Sequence, residues 1–231
     1  MDSVKVDRLQ EFNRVANVLM DTTYFGRDFG VMVFRDSLSG CFLYKQYVKT
    51  ETNALYLAGI AEIGRRGICV QSIICDGRKG LFSGLFDGVP MQMCQFHQVQ
   101  IVTRYLTRRP QTDAAKELRK LALKLVKLSK ADFTKALNDW HLKWSYFLNE
   151  RSVSAKTGKT FYTHKKLRSA YLSLKRNLPV LFTFEDYPEL CMPNTTNALD
   201  GCFSDLKNKL RNHNGLSKER KMKYIDGFFK V

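Results

Sequence analysis

The stretch VQSIICDGRKGLF, residues 70–82, decides the fold. With the two residues before it, ICVQSIICD (68–76) reads as a strand buried on both faces, bounded by turn residues. It ends on a carboxylate, Asp76, and then on Gly77. A buried strand that stops at an acid needs a reason, because an unpaired carboxylate is costly away from water. Gly77 is expected to let the chain turn away and leave Asp76 accessible.

Working outward, the preceding residues supply strands and one helix. ANVLMDTTYF (16–25), GVMVFRD (30–36) and CFLYKQYV (41–48) are strand candidates, with Gly30 and DSLSG (36–40) as turn chemistry. Three strands with short connections predict an antiparallel meander. TETNALYLAGIAEIGRRG (50–67) follows as a helix, with Thr50 as N-cap and Leu55, Leu57, Ile60 and Ile63 on one face. Gly64 or Gly67 would end it. A strand, helix, strand order favours a parallel pairing through a right-handed crossover, so the strand ending at Asp76 should lie beside the first. KGLFSGLF (79–86) reads as a short helix, and VPMQMCQFH (89–97) as a further strand.

Beyond residue 98 the period becomes helical. QVQIVTRYLTRRP, TDAAKELRKLALKLVKLS, ADFTKALNDWHLKWSYFLNERS and HKKLRSAYLSLKRNLPVLF are amphipathic segments with no strand signal, and SVSAKTGKTF (152–161) is a polar loop between them. A last helix, ALDGCFSDLKNKLRNH, stops at Asn214-Gly215. The order is that of an α/β ribonuclease-H-like mixed sheet with an inserted all-helical basic subdomain. The expected division is 1–98 for the first part of the core, 99–190 for the helical insertion and 191–231 for the closing helix.

Charge narrows the partners. The formal net charge is +16, and residues 101–180 hold 19 Lys and Arg against five Asp and Glu. A polyanion is the natural partner, nucleic acid before an anionic membrane. No apolar run reaches the roughly 18 residues of a membrane-spanning helix, and MDSVKVDRLQEF lacks the order of a signal peptide. The six cysteines are scattered and mostly within apolar runs, as expected of reduced, buried thiols in a cytosolic protein.

In this order, phosphoryl-transfer chemistry needs acids on the first strand, at the end of the fourth and on the closing helix. Two divalent ions about 3.5–4 Å apart can serve both the attacking and the leaving oxygen, and magnesium takes hard oxygen ligands. Asp21, inside VLMDTTYF, and Asp76 fit the first two places, and Asp200 fits the third. Asp36 ends the second strand beside a turn and suits a capping role, Asp28 lies in a loop, and Asp205 suits a surface pair with Lys209 at i+4. Trp140 and Trp144, also i and i+4, are expected in the core.

DTTYFG (21–26), CDGRKGLF (75–82), QMCQFHQ (92–98) and TTNALDGCFSDLKNKLRNHNGLS (195–217), in that order over nearly the whole chain, resemble the DDE transposases of bacterial insertion sequences, the mutator-like group most of all. The resemblance implies a DNA transposase: end nicking and strand transfer on transposon ends and target DNA, with Asp21, Asp76 and Asp200 holding two Mg²⁺, for which Mn²⁺ can substitute. It implies a homodimer in the bacterial cytoplasm, associated with the nucleoid, and no membrane or small-molecule substrate. The third acid of that family is normally glutamate, as in NALEG; here NALDG puts a side chain one methylene shorter at Asp200. Relatives carry a DNA-binding region ahead of the core, whereas about twenty residues precede Asp21 here, so the expectation is either a truncated reading frame or an end-recognition module that is missing or supplied by another chain. Cys94 and His97 match a cysteine and histidine of the family at the edge of the site, with too few further ligands for zinc. Arg104, Arg108, Arg109, Arg119 and Lys120, with Lys116, Lys124 and Lys127 nearby, are expected on the DNA backbone, and Lys207, Lys209 and Arg211 beside the metals. The alternatives are a DNA-binding remnant with a decayed site and a nuclease of the same fold that cuts without joining.

Overall fold

The computed structural model describes residues 14–231 except 79, 83–85, 87 and 214. The N-terminal segment read for a signal peptide, half of the short helix expected over 79–86, and Asn214 lie outside the described residues.

The meander forms as its sequence predicts. Strands β1 (Arg14–Phe25), β2 (Phe29–Asp36) and β3 (Phe42–Val48) are antiparallel neighbours. Helix α1 (Asn53–Arg65) crosses over to β4 (Ile68–Cys75), which pairs parallel with β1, and β5 (Met91–Met93) pairs parallel with β4. The sheet order β3-β2-β1-β4-β5 is that of the ribonuclease-H-like sheet. Asp36 takes its turn role, accepting from the backbone N–H groups of Asn17, Leu38 and Ser39.

Alternation on β1 divides its side chains between two cores. Val18 and Met20 face α1, with Phe34, Tyr56 and Ile73. Leu19 faces the other way, with Val31, Ile74 and the apolar face of a late helix, α7 (Asn197–Arg211), which contributes Leu199, Phe203, Leu206 and Leu210. Helix α1 lies so close to the sheet that a Cβ on Gly59 would meet the Phe34 ring at 2.1 Å. Its inward face is Tyr56, Gly59 and Ile63, and Leu57 is exposed. Thr52, not Thr50, caps it, accepting from the Leu55 N–H.

Between β5 and α7 lie α2 (Gln95–Leu106), α3 (Asp113–Leu123), α4 (Lys130–Asn149), α5 (Lys165–Leu181) and the short α6 (Thr183–Asp186). Leu118, Phe133, Leu137, Ala170 and Leu174 lie at the centre of a core of their own. Trp140 is buried there and donates Nε1–H to the Ala114 carbonyl at 3.1 Å, while Trp144 donates to Glu117 at 2.8 Å. Buried glutamines join this block to the sheet. Gln92 and Gln95 both donate to the Leu181 carbonyl, and Gln98 donates to Ser173.

Four expectations are corrected. The strand expected over 89–97 ends at Met93, and His97 lies on a helix, because Cys94 starts α2. The polar loop at 152–161 contains a hairpin, β6 (Arg151–Val153) with β7 (Thr160–Tyr162), turned by Gly158 at φ 63°. A further helix, α8 (Lys218–Phe228), follows α7 and buries Ile225 in the sheet's second core. Among the cysteines Cys75 and Cys94 are buried, but Cys41, Cys69 and Cys191 are exposed. No helix of the described residues is long and apolar enough to cross a membrane.

Candidate functional site

The register of β1 against β4 explains how the first two acids approach. Leu19 pairs with Ile74 in a parallel ladder. Asp21 lies two residues beyond Leu19, on the face on which α7 packs, and Asp76 follows directly on the end of β4, near enough for its charge to act on Asp21. Asp200 stands in the first turn of α7, one residue after Leu199, which is fully buried against that face. The sheet's second core therefore carries Asp200 to Asp21.

Asp21, Asp200 and His97 form the close cluster. One ligand atom from each lies within 4.8 Å of the others, and all three are partly buried. Asp76 stands outside this group; its Oδ1 accepts from the Arg78 N–H at 3.1 Å. Gly77 has no left-handed backbone, so conformational freedom is not its reason for being there. A Cβ at Gly77 would lie 2.2 Å from the terminal methyl of buried Met93. The turn therefore packs closely on β5, where a larger residue would displace the flexible end of Met93.

The electrostatics are strongly coupled. Burial pushes the Asp21 carboxyl up to about 7; the Thr22 N–H, donating at 2.7 Å, and His97 oppose that rise, and Asp76 and Asp200 add to it. His97 rises to about 9, first because of the neighbouring Cys94 thiol and, after burial is offset, because of Asp21 and Asp200. Its Nδ1 is buried without a hydrogen-bond partner of normal geometry. For Cys94 burial works upward, but His97 and Thr196 outweigh it and the thiol is lowered.

Thr196 is the residue that the sequence does not advertise. It is fully buried at the start of α7, 102 residues from Cys94, and its N–H and Oγ1 each lie 3.3 Å from Cys94 Sγ. Oγ1 is also 3.2 Å from Asp200 Oδ2, so its single proton serves one partner at a time. Beside it, Asn194 and Gln95 exchange two hydrogen bonds at 3.0 Å. Together these contacts fix the start of α7 on the start of α2, and with it the position of Asp200 relative to His97. From the other side, Arg35 donates to the Ala198 carbonyl at 2.9 Å.

The basic residues separate by burial. Arg104, Arg108, Arg109, Lys120, Lys207, Lys209 and Arg211 are exposed, whereas Arg119 is partly buried with an Nε that has no partner. Lys209 is held by Asp205 at 2.8 Å, the surface pair that its spacing predicts.

The chain matches no protein-family model and no curated protein. Among solved structures it is similar to the HTLV-2 integrase catalytic core domain in complex with magnesium. The trimeric form is 18% identical over 68% of this chain and 96% of that chain, with a TM-score of 0.28. The dimeric form is 17% identical over 68% and 95%, also with a TM-score of 0.28. The simian T-cell lymphotropic virus intasome in complex with PP2A regulatory subunit B56 gamma is 17% identical over 68% of this chain and 54% of that chain, with a TM-score of 0.29.

Proposed function

We propose that this chain is the catalytic core of a DDE-type DNA transposase of the mutator-like kind, a polynucleotidyl transferase that nicks transposon ends and joins them to target DNA. The observation that carries the proposal is the meeting of Asp21, Asp200 and His97 within 4.8 Å, with Asp76 just past the end of β4, the strand beside β1, near enough for its charge to raise Asp21. Two acids 179 positions apart in sequence thus meet a histidine, with the third acid close by.

The donor set suits a hard divalent cation. Asp21 is buried enough to hold its proton near neutrality, and among the described residues no Lys or Arg forms an ion pair with it. Two carboxylates match Mg²⁺ or Mn²⁺, hard cations that take oxygen ligands. Asp21 and Asp200 would hold one ion with His97 beside it, and a second ion would draw on Asp76. When bound, such ions supply Lewis-acid charge that offsets negative charge on the phosphoryl oxygens. The chain's own groups do the rest. Asp21 gives up its proton near pH 7 and presents a full carboxylate. His97 is protonated at neutral pH and offers a cationic N–H to a phosphate oxygen. Cys94 and Thr196 hold Asp200 in register.

The domain division of 1–98, 99–190 and 191–231 belongs to the same proposal, with the helical block as the insertion and Arg104, Arg108, Arg109, Arg119, Lys120, Lys207, Lys209 and Arg211 on the DNA backbone. A homodimer acting on paired ends in the bacterial nucleoid completes it. A second reading, a DNA-binding remnant, is favoured by one observation: Asp76 is not within the close cluster. Nicking of supercoiled plasmid in Mg²⁺ or Mn²⁺, beside Asp76→Asn and Asp200→Glu, decides between them. Nicking by the parent that Asp76→Asn abolishes is expected; nicking by Asp200→Glu alone means a decayed site. Strand joining of a pre-cut end separates a transposase from a nuclease.

A further inference from the structure

Away from the acids, a cavity of about 480 Å³ opens between the α2–α3 turn and the β7–α5 turn. Arg109, Lys165 and Lys166 line it, all three are exposed, and no Asp or Glu is among its lining residues. The nearest acids are already committed: Asp113 to Lys116 at 2.9 Å and Glu150 to His164 at 2.9 Å. Helix α5 starts at this cavity with no side-chain cap and no acid in its first turn. The cavity is thus a cationic depression with nothing of its own to neutralise it.

Two of its aromatic rings, Tyr162 and Phe161, carry cations. The guanidinium carbons of Arg151 and Arg168 lie 4.2 and 4.1 Å from the centre of the Tyr162 ring, and Lys165 Nζ lies 4.6 Å from that of Phe161. Arg151 also donates to the Tyr162 hydroxyl at 2.9 Å. Cation–π contacts of this kind orient a cation without neutralising it. Rings already carrying cations are poor platforms for a base, but the cations they hold are preset for phosphate oxygens. Lys156 and Lys159, exposed on the hairpin between β6 and β7, extend the same positive surface. Thr107, at the rim, is held at φ 66° and ψ 175°, a strained backbone for a β-branched residue, where the chain folds back to present Arg109.

We infer that this hairpin and cavity form a binding subsite for the sugar-phosphate backbone of duplex DNA, separate from the acidic cluster and blind to sequence. The inference gives the DNA-processing reading a second, non-catalytic contact. It does not depend on cleavage, so it can stand if that reading falls.

The test is duplex binding by fluorescence anisotropy in EDTA, over a range of salt concentrations and with two unrelated duplexes. Lys165→Ala with Lys166→Ala is compared with Arg220→Ala with Lys223→Ala, which removes equal charge from exposed positions on α8. The groove pair should weaken binding to both duplexes alike and flatten the log–log salt slope by about two, roughly 0.9 for each phosphate no longer neutralised. The α8 pair should leave the slope as it is. Tyr162→Leu changes no charge and should weaken binding several-fold, because two guanidinia lose their orientation. The subsite is overturned if the groove pair binds with the parent's slope, if the α8 pair flattens the slope equally, or if an unpaired strand binds tighter than duplex and Tyr162→Leu abolishes that preference. Plasmid nicking, measured separately in Mn²⁺, tests the catalytic reading. Binding that depends on the groove without nicking retains the subsite and removes the enzyme.

Discussion

The acidic cluster at the end of β1 and β4 and the cationic surface of α2–α5 differ in how far the fold commits their charges. At the cluster every group answers to its neighbours. Asp21 sits near 7 through burial, His97 near 9 through Cys94, and Thr196 is shared between Cys94 and Asp200. On the helical block Arg104, Arg108 and Lys120 project from a well-packed core into solvent. The lesson is one of granularity. A buried, coupled site should fail at a single substitution, whereas a solvated cationic surface should lose its affinity in steps.

The most decisive way to break this contrast is Asp76→Asn or Asp200→Asn. Either should cut Mn²⁺-dependent nicking by about 100-fold or more while DNA binding in EDTA stays within about twofold of the parent. A variant that loses binding along with nicking would mean that the two regions are not separate.

The second prediction concerns pH. The native Asp21 carboxyl binds its proton more tightly than the unfolded chain does, rising from 3.8 to about 7. Stability from this group is therefore complete below about pH 4 and declines as pH rises to about 7, by at most about 1.4 kcal/mol per pH unit and less where water screens it. In EDTA, Asp21→Asn should gain stability over the parent at pH 8 and not at pH 4, as read by chemical denaturation. Mn²⁺ at pH 8 should raise the melting temperature of the parent and not of Asp21→Asn.

Thr196 sharpens the comparison at a smaller scale. Thr196→Val should raise the Mn²⁺ concentration for half-maximal nicking roughly tenfold, as loss of a ligand-orienting contact does, and Thr196→Ser should restore it. An equal loss in both variants would assign Thr196 to packing alone. The smallest effect belongs to the helical block: Arg104→Ala should flatten the salt slope of duplex binding by about one and leave nicking at saturating DNA unchanged.

Much of the sheet was legible because its signals are local. Alternation and β-branching mark β1 to β4, DSLSG marks the turn at Asp36, and a strand-helix-strand order places β4 beside β1. The start of α2 was not legible. QMCQFH continues an apolar strand pattern, and Cys94, the N-cap, makes no side-chain cap hydrogen bond; its thiol instead meets Thr196 from the far end of the chain. The hairpin at 151–162 escaped notice because strands of three residues in a polar stretch have too few positions to show a period. Helix α8 is rich in Lys and buries only Ile225 along its length, so its apolar stripe is faint.

By itself the sequence determined strands β1 to β4, most of the helices and the positive surface, since these depend on side-chain chemistry and short-range periodicity. Only the tertiary structure decided which groups meet. The parallel pairing of β1 and β4 brings the ends that carry Asp21 and Asp76 together, the packing of Leu199 and Phe203 delivers Asp200, and the early turn into α2 puts His97, not Asp76, in the closest group. Those outcomes depend on burial and on contacts between residues about a hundred positions apart, which no local pattern encodes.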